Sequence, residues 1–446
     1  MIADEISQSD CRQVLTTVLD QSAADETEAL MMTSQAALTR FTENAVHENV
    51  LEKSLHLNVR VVLGKRVGVA STNRLDAAGV RDVITRATQI ARVSPPDEMF
   101  PGLPPGAGDV VELPHAWDDA TAAASAEARV AAVRSIATIM EAHGLNAAGY
   151  VATGADTIAI ANTKGVRRFF RSTDSSIAIK AMGDDSSGYA EGFSRRFGDL
   201  DAAALAQRSA RKCVDGRAPV DLEPGEYTVI LEPPAFREFL VYLSWIGFGA
   251  QAFDQGSSFM SGRIGERIVG ENVTVGDDFR LAAGCGIPFD FEGVARQPVC
   301  LVDKGVAREV VYDSYYAHKL NHANTGHALP APNGDGPFPL NIVVEPGEAS
   351  TEELIGSVRK GVLVSRTWYI RLVDQQQTVI TGMTRDGFFL IENGRITRPL
   401  RNMRFNESIL GALGRCKLAN QLVRSETHVV PAALIEGFRF TSATTF

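Results

Sequence analysis

Cysteine is scarce. The five residues Cys11, Cys213, Cys285, Cys300 and Cys416 lie far apart, with no CxxC pair among them. An odd number so widely spread supports neither a disulfide framework nor a zinc ribbon, and each reads as a small buried side chain. Long hydrophobic runs are missing as well, since none approaches the roughly 18 residues a membrane-spanning helix needs. The opening Met1-Ile2-Ala3-Asp4-Glu5 is acidic where a secretory signal would be basic. The expectation is a cytoplasmic protein without a membrane segment. Basic charge is outnumbered, with 44 Lys and Arg against 54 Asp and Glu for a net charge of -10, and no segment masses it. That balance speaks against a chain drawn directly to nucleic acid.

What is present is enough apolar sequence, spread over 446 residues, for two or three domains. Cys11, Val14, Leu15, Val18 and Leu19 form the stripe of an amphipathic helix. Between Glu28 and Ala70 the period shortens to two, as in Leu55-His56-Leu57-Asn58-Val59-Arg60-Val61, with the odd positions lining one sheet face and His56 on the other. Gly64-Lys65-Arg66 marks a hairpin turn, and Asp76 caps a helix carrying Val80, Val83, Ile84 and Ala87.

Six prolines between positions 94 and 114 (Pro95, Pro96, Pro101, Pro104, Pro105, Pro114) mark a linker, because neither a helix nor a central strand tolerates them. The order of events then recurs. A helix with Val130, Val133, Ile136 and Met140 precedes alternating strands through Ile158-Ala159-Ile160 and Ile177-Ala178-Ile179, and Asp201 opens a second closing helix. The offset is 120 residues from Leu57 to Ile177 and 125 from Asp76 to Asp201, which predicts a duplicated helix-meander-helix unit with about five residues inserted in the second hairpin.

The expected organisation is therefore α+β: a first module over 1–93, a linker over 94–114, a second module over 115–219 and a strand-rich, barrel-like domain over 220–446. Candidate strands in the last domain are Val229 to Leu231, Val299 to Val302, Val306 to Val311, Asn341 to Val344, Thr378 to Thr381, Phe388 to Ile391 and Leu434 to Phe440. Helices are expected at Pro234 to Gly247, with Phe236, Phe239, Leu240, Leu243 and Ile246 on one stripe, and at Ser408 to Val423 around Cys416.

Several segments resemble the TldD/PmbA family. Ser258-Phe259-Met260-Ser261-Gly262-Arg263-Ile264-Gly265-Glu266 is similar to its SFxxGxIGE segment, and Pro288-Phe289-Asp290-Phe291-Glu292-Gly293-Val294 to its PFDGEGV-type turn. Asp313-Ser314-Tyr315-Tyr316-Ala317, followed by Thr325-Gly326-His327-Ala328, resembles the PmbA-side segment ending in STGHA. Thr381 to Gly387, Ile391 to Gly394 and Leu400 to Phe405 follow in family order, and Leu57 to Thr72 resembles the N-terminal segment.

The resemblance implies a dimeric protein whose C-terminal domains build a peptide-binding chamber. In TldD-type subunits it further implies zinc held by HExxxH on a helix early in that domain, with the glutamate as base. This chain departs there. Counted from Val229-Ile230-Leu231, Val241 and Ile246 stand where the histidines would be and Tyr242 where the base would be. The chain thus looks most like the metal-free PmbA (TldE-like) subunit, with no cofactor of its own, zinc on a TldD-type partner and no catalytic residue to name. Asp290, Glu292, Asp313, Tyr315 and His327 fall within the matched segments and become candidate chamber residues for a peptide substrate.

A rival metal site is His318-Lys319-Leu320-Asn321-His322 with His327, the first two histidines sharing a helix face at i and i+4. It lacks an acid, and Lys319 adds positive charge beside a would-be cation. Asp290 and Glu292 would suit acid-base work if they faced one another across a cleft, or else a turn in which they bond backbone amides. Alternative readings are a homodimeric hydrolase with a rebuilt site, acting in peptide or natural-product maturation, and a protein-binding modulator without enzymatic activity.

Overall fold

The structure is a computed structural model that describes residues 6–443. The acidic opening Met1 to Glu5 lies outside the described residues. Six long antiparallel strands form the N-terminal sheet: β1 (Glu26–Thr42), β2 (Ala45–Leu63), β3 (Arg66–Thr72), β4 (Asn146–Asn162), β5 (Arg167–Met182) and β6 (Ser187–Ser194). Their order is β3-β2-β1-β4-β5-β6, so the two three-stranded meanders meet along β1 and β4, from Glu28 opposite Asn162 to Phe41 opposite Gly149.

Helices α1 (Gln8–Gln21) and α2 (Ala77–Val93) cover the first meander. After the short α3 (Asp119–Ala122), helices α4 (Ala126–Ala142) and α5 (Ala202–Asp215) cover the second. The helix caps are those expected, with Asp76 accepting from Gly79 N–H and Asp201 from Ala204 N–H. Leu57, Val59 and Val61 pack under α1 and α2, while Ile177 and Ile179 pack under α4 and α5.

The repeat extends to single residues. Gly68 on β3 lies where a Cβ would come 2.1 Å from Ala87 O, and Gly188 on β6, 120 positions later, where it would come 2.1 Å from Ser209 O. Both glycines let a helix lie directly on the outer strand. The hairpins themselves match, since Leu57 pairs with Thr72 and Ile177 with Gly192 at equal separation. The inserted residues therefore lie after the hairpin and not in it, in the stretch holding the 3-10 turn Phe197–Asp199.

The opposite face of the sheet is covered too. The proline-rich segment lies across it as a strap: Phe100 and Leu103 are buried with Val62, and Leu103 N–H donates to Glu26 Oε2 at 2.7 Å. Leu30 and Ile160 pack against Phe289 of the C-terminal domain.

That domain holds two sheets. The first contains β7 (Gly225–Leu231) and, in the other, β8 (Val275–Asp277), β9 (Val299–Asp303), β10 (Val306–Ala307) and β11 (Ile342–Val344) follow. Next come β12 (Lys360–Asp374), β13 (Val379–Glu392), β14 (Arg395–Pro399), β15 (Met403–Ser408) and β16 (Cys416–Leu418). The chain finishes with β17 (Val423–Ser425), β18 (His428–Val430) and β19 (Ala433–Ala443). Strands β12-β7-β19-β15-β13 form a path that closes through the β12–β13 pairing, a five-stranded barrel. Helix α6 (Pro233–Gly247) shares its core, with Phe239 stacked on Phe438 at 6.3 Å.

Three expected elements of the C-terminal domain also need correction. Thr378 to Thr381 and Phe388 to Ile391 are not two strands, because β13 runs through both and passes Asp386 and Gly387 at φ 54° and 134°. The strand expected from Val306 stops at Ala307. The helix expected at Ser408 to Val423 ends at Leu413, after which the chain turns at Gly414 and Cys416 enters β16 against β19. No helix among the described residues is long and apolar enough to cross a membrane.

Candidate functional site

Helix α6 is the place to test for zinc. Its buried stripe is Phe236, Phe239, Leu240, Leu243 and Ile246. Tyr242 donates its hydroxyl to Ile370 O at 2.8 Å, so it serves as a hydrogen-bonding strut to β12. The outer side of the helix faces a cleft of about 440 Å³ with Arg237, Glu238, Tyr242, Arg366 and Trp368 in its walls. Arg237 is ion-paired with Glu238 and with Glu426, and Arg366 lies over the rings of Tyr189 and Trp368. Valine, tyrosine and isoleucine at positions 241, 242 and 246 offer no zinc ligand set, so these residues do not fit the ion. Among the described residues no three His, Cys, Asp or Glu side chains come together as a metal-binding group.

The histidine constellation does not converge. Helix α8 follows α7 (Ala250–Asp254) and spans Ser314–Lys319. His318 lies exposed on it, while His322, also exposed, stacks on Tyr312 at 4.1 Å and pairs with Glu309 at 3.1 Å. His327 is fully buried elsewhere, its Nδ1 2.9 Å from Thr325 Oγ1 and its Nε2 3.3 Å from Asp277 Oδ1. Burial and the nearby Arg296 push the His327 ring toward its neutral form. Burial opposes ionisation of Asp277, yet the His327 ring, Arg296 and the Asn341 amide hold its carboxyl at about 2.

Cys416 is likewise a packing residue. Its Sγ donates to Leu413 O at 3.4 Å, and burial pushes the thiol up to about 11.

The turn at Pro288 to Val294 is where the N-terminal sheet meets the C-terminal domain. Gly293 has φ 78°, and a Cβ there would come 2.4 Å from Val166 Cγ1, so glycine alone fits the close approach. Asp290 and Glu292 do not face one another across a cleft. Asp290 is buried and bonds the turn, its Oδ1 accepting from Glu292 N–H and Val294 N–H and its Oδ2 from Ala328 N–H at 3.0 Å. Burial and the neighbouring Glu292 push its carboxyl up to about 7.

Glu292 points the other way. Its Oε1 accepts from Arg60 Nη1 at 3.0 Å, while Arg60 Nη2 donates to Glu28 Oε2 at 2.8 Å. Two acids on one guanidinium leave an excess of negative charge inside the protein. Burial outweighs the pull of Arg60 and raises Glu28, while the two carboxylates raise Arg60 against its own burial. Glu292 Oε2 also accepts from Ser314 N–H at 3.2 Å, which ties the network to α8. Asp313 caps that helix by accepting from Tyr316 N–H at 2.8 Å, and burial pushes its carboxyl up to about 6.

Arg60, Glu292, Asp313 and Tyr315 line a cleft of about 680 Å³ between the sheet and the C-terminal domain. Three of the five candidate chamber residues thus share one cleft. Asp290 and His327 are buried and do not line it. Arg60 and Glu28 were missed from the sequence, because Arg60 falls in the polar phase of an alternating strand with His56 and Asn58, and Glu28 closes the acidic stretch Asp25-Glu26-Thr27-Glu28, places where a solvated charge is the ordinary reading.

The chain is thus an α+β protein in which a strapped, duplicated unit docks on a closed barrel, with a polar cleft at the junction. Sequence models of the PmbA/TldA metallopeptidase match residues 28–91 (domain 1), 114–216 (central domain) and 224–442 (C-terminal domain). The chain belongs to the PmbA/TldD family.

Among its relatives, the metalloprotease PmbA homolog of Haemophilus influenzae is 25% identical over 362 residues, covering 77% of this chain and 76% of that protein. A metalloprotease of Methanothermobacter thermautotrophicus is 27% identical over 220 residues; the match spans 48% of this chain and only 47% of that protein. The crystal structure of TldE from Thermococcus kodakarensis superposes with a TM-score of 0.87 over 98% of this chain and all of that one, at 19% identity, which is a likeness of fold.

Proposed function

We propose that this chain is the non-catalytic, TldE-like partner of a TldD-type zinc peptidase acting on small or unfolded peptides, and that it completes the peptide chamber without supplying metal or base. The observation that carries this reading is α6. At the level where the resemblance implies HExxxH in a catalytic subunit, Val241, Tyr242 and Ile246 give the helix packing and a strut but no ligand and no base.

Two features support the partner role. The junction cleft brings Glu292, Asp313 and Tyr315 together as hydrogen-bonding groups for a peptide backbone. On α6 and β12, which pack together, Trp245 is 74% exposed and Tyr369 and Val373 are each 60% exposed, apolar side chains that a second subunit would cover.

The test is reconstitution. The purified chain should hold substoichiometric zinc and cleave no unfolded peptide alone, and adding a TldD-type subunit that carries HExxxH should produce chelator-sensitive cleavage faster than that subunit shows by itself. Full activity of the zinc-bearing subunit without this chain would overturn the proposal.

A further inference from the structure

A second cleft, of about 540 Å³, lies on the same junction beyond the Pro288 to Val294 turn, and none of the residues discussed as the peptide chamber lines it. Its floor holds two arginines, Arg195 from the end of the second meander and Arg424 from β17, each only 8% exposed. Both are incompletely partnered. Arg195 spends its Nη1 on Thr173 O and its Nη2 on Gly286 O, leaving Nε–H free; Arg424 spends Nε on Glu426 O and Nη2 on Asp174, leaving Nη1 free.

A buried N–H without an acceptor costs about 1–3 kcal/mol, and an acceptor seated in the cleft between the two arginines would offset that cost. Three acids share the lining: Asp174 lies 2.7 Å from Arg424, Glu426 is ion-paired with Arg237, and burial raises the Asp156 carboxyl above its ordinary value. The rest of the lining is mostly apolar, with Met32, Ile158, Phe193 and Phe291 facing the same space.

We propose that this cleft binds a carboxylate carried on an apolar body, with the anion on Arg195 and Arg424 and the body among Met32, Ile158, Phe193 and Phe291. Free guanidinium N–H groups in a low-dielectric wall favour a carboxylate over a neutral amide of the same shape, because only the carboxylate adds the attraction between two full opposite charges, which a low dielectric strengthens. The C-terminal end of an apolar peptide and a medium-chain fatty acid both present this chemistry.

The experiment is calorimetric titration of the full chain with N-acetyl-leucyl-phenylalanine, with its C-terminal amide, and with octanoate. The peptide acid should bind at least about tenfold tighter than the amide, a difference of roughly 1.4 kcal/mol. Octanoate binding as tightly as the peptide acid would assign the site to lipid acids and keep the carboxylate assignment; octanoate binding much more weakly would assign it to peptide ends. Equal binding of acid and amide, or binding of neither at millimolar concentration, overturns the proposal.

Arg424→Gln should abolish the preference for acid over amide. Should that variant fail to fold, the acid and amide comparison on the unaltered chain decides alone. His56→Glu, at an exposed position on the same cleft, should weaken the acid and not the amide; unchanged binding of the acid would place the site elsewhere and overturn the proposal.

Discussion

Glu292 of the C-terminal domain reaches Arg60 of the N-terminal sheet across 3.0 Å, although the two stand 232 positions apart in the sequence. Because Arg60 is buried and also bonds Glu28, it is the counter-charge shared by two interior acids. Arg60→Ala should therefore cost about 3–5 kcal/mol, the scale for stranding a buried charge. Equilibrium denaturation checks this, and a double-mutant cycle with Glu292→Gln should show strong coupling. A loss below about 1 kcal/mol would mean the network is solvated.

Asp313 sets a pH dependence whose sign can be worked out. Its carboxyl is raised to about 6, above the ordinary aspartate range, so between about pH 4 and 6 the folded chain holds a proton the unfolded chain releases. Its contribution is present in full below the unfolded value and is lost as pH rises through 6. Asp290, raised to about 7, acts in the same direction over a slightly wider window. Asparagine can keep the Tyr316 cap, so Asp313→Asn should flatten the denaturation midpoint between pH 4 and 6. An unchanged slope would refute the assignment.

Asp277 works in the opposite sense at lower pH. Held at about 2, it contributes stability above the ordinary aspartate range that disappears as pH falls toward 2. Asp277→Asn should remove part of the acid-induced loss of stability and lower the midpoint at neutral pH.

Two glycines one repeat apart should behave alike. Gly68→Ala and Gly188→Ala each drive a Cβ into helix backbone, at Ala87 and at Ser209. Each should lower stability by roughly 1–3 kcal/mol, the cost of overpacking, as read from urea midpoints. If only one did so, the equivalence of the modules would not extend to helix docking.

The thiols should separate cleanly in native alkylation. Cys300 is exposed and should label first, whereas Cys11, Cys213 and Cys416 are buried and should label only on unfolding. Mass spectrometry of the modified peptides gives the order.

Periodicity revealed those elements whose burial is one-sided. Leu57, Val59 and Val61 alternate because one face of β2 meets helices, and the α6 stripe is apolar because it plugs a core. The same rule misled at Ser408 to Val423, where Ile409, Ala412 and Leu413 begin a helix that Gly414 ends and pairing with β19 replaces. Asp290 and Glu292 were visible as a pair, but their separate roles were not. The partners that divide them, Ala328 N–H and Arg60, come from 38 residues away in sequence and from a different domain. The arginines of the second cleft were silent for the same reason, since nothing local marks a guanidinium left short of acceptors.

The seam between β1 and β4 has a consequence for assembly. A single module standing alone would present β1 as a long open edge, the kind of template that recruits another chain. Joined by the strap across residues 94–114, the two copies meet at an effective concentration fixed by tether length, independent of how much protein is present. What two separate copies would achieve only as a concentration-dependent dimer, this chain achieves within itself, and the sheet should survive dilution that would separate any partner bound elsewhere.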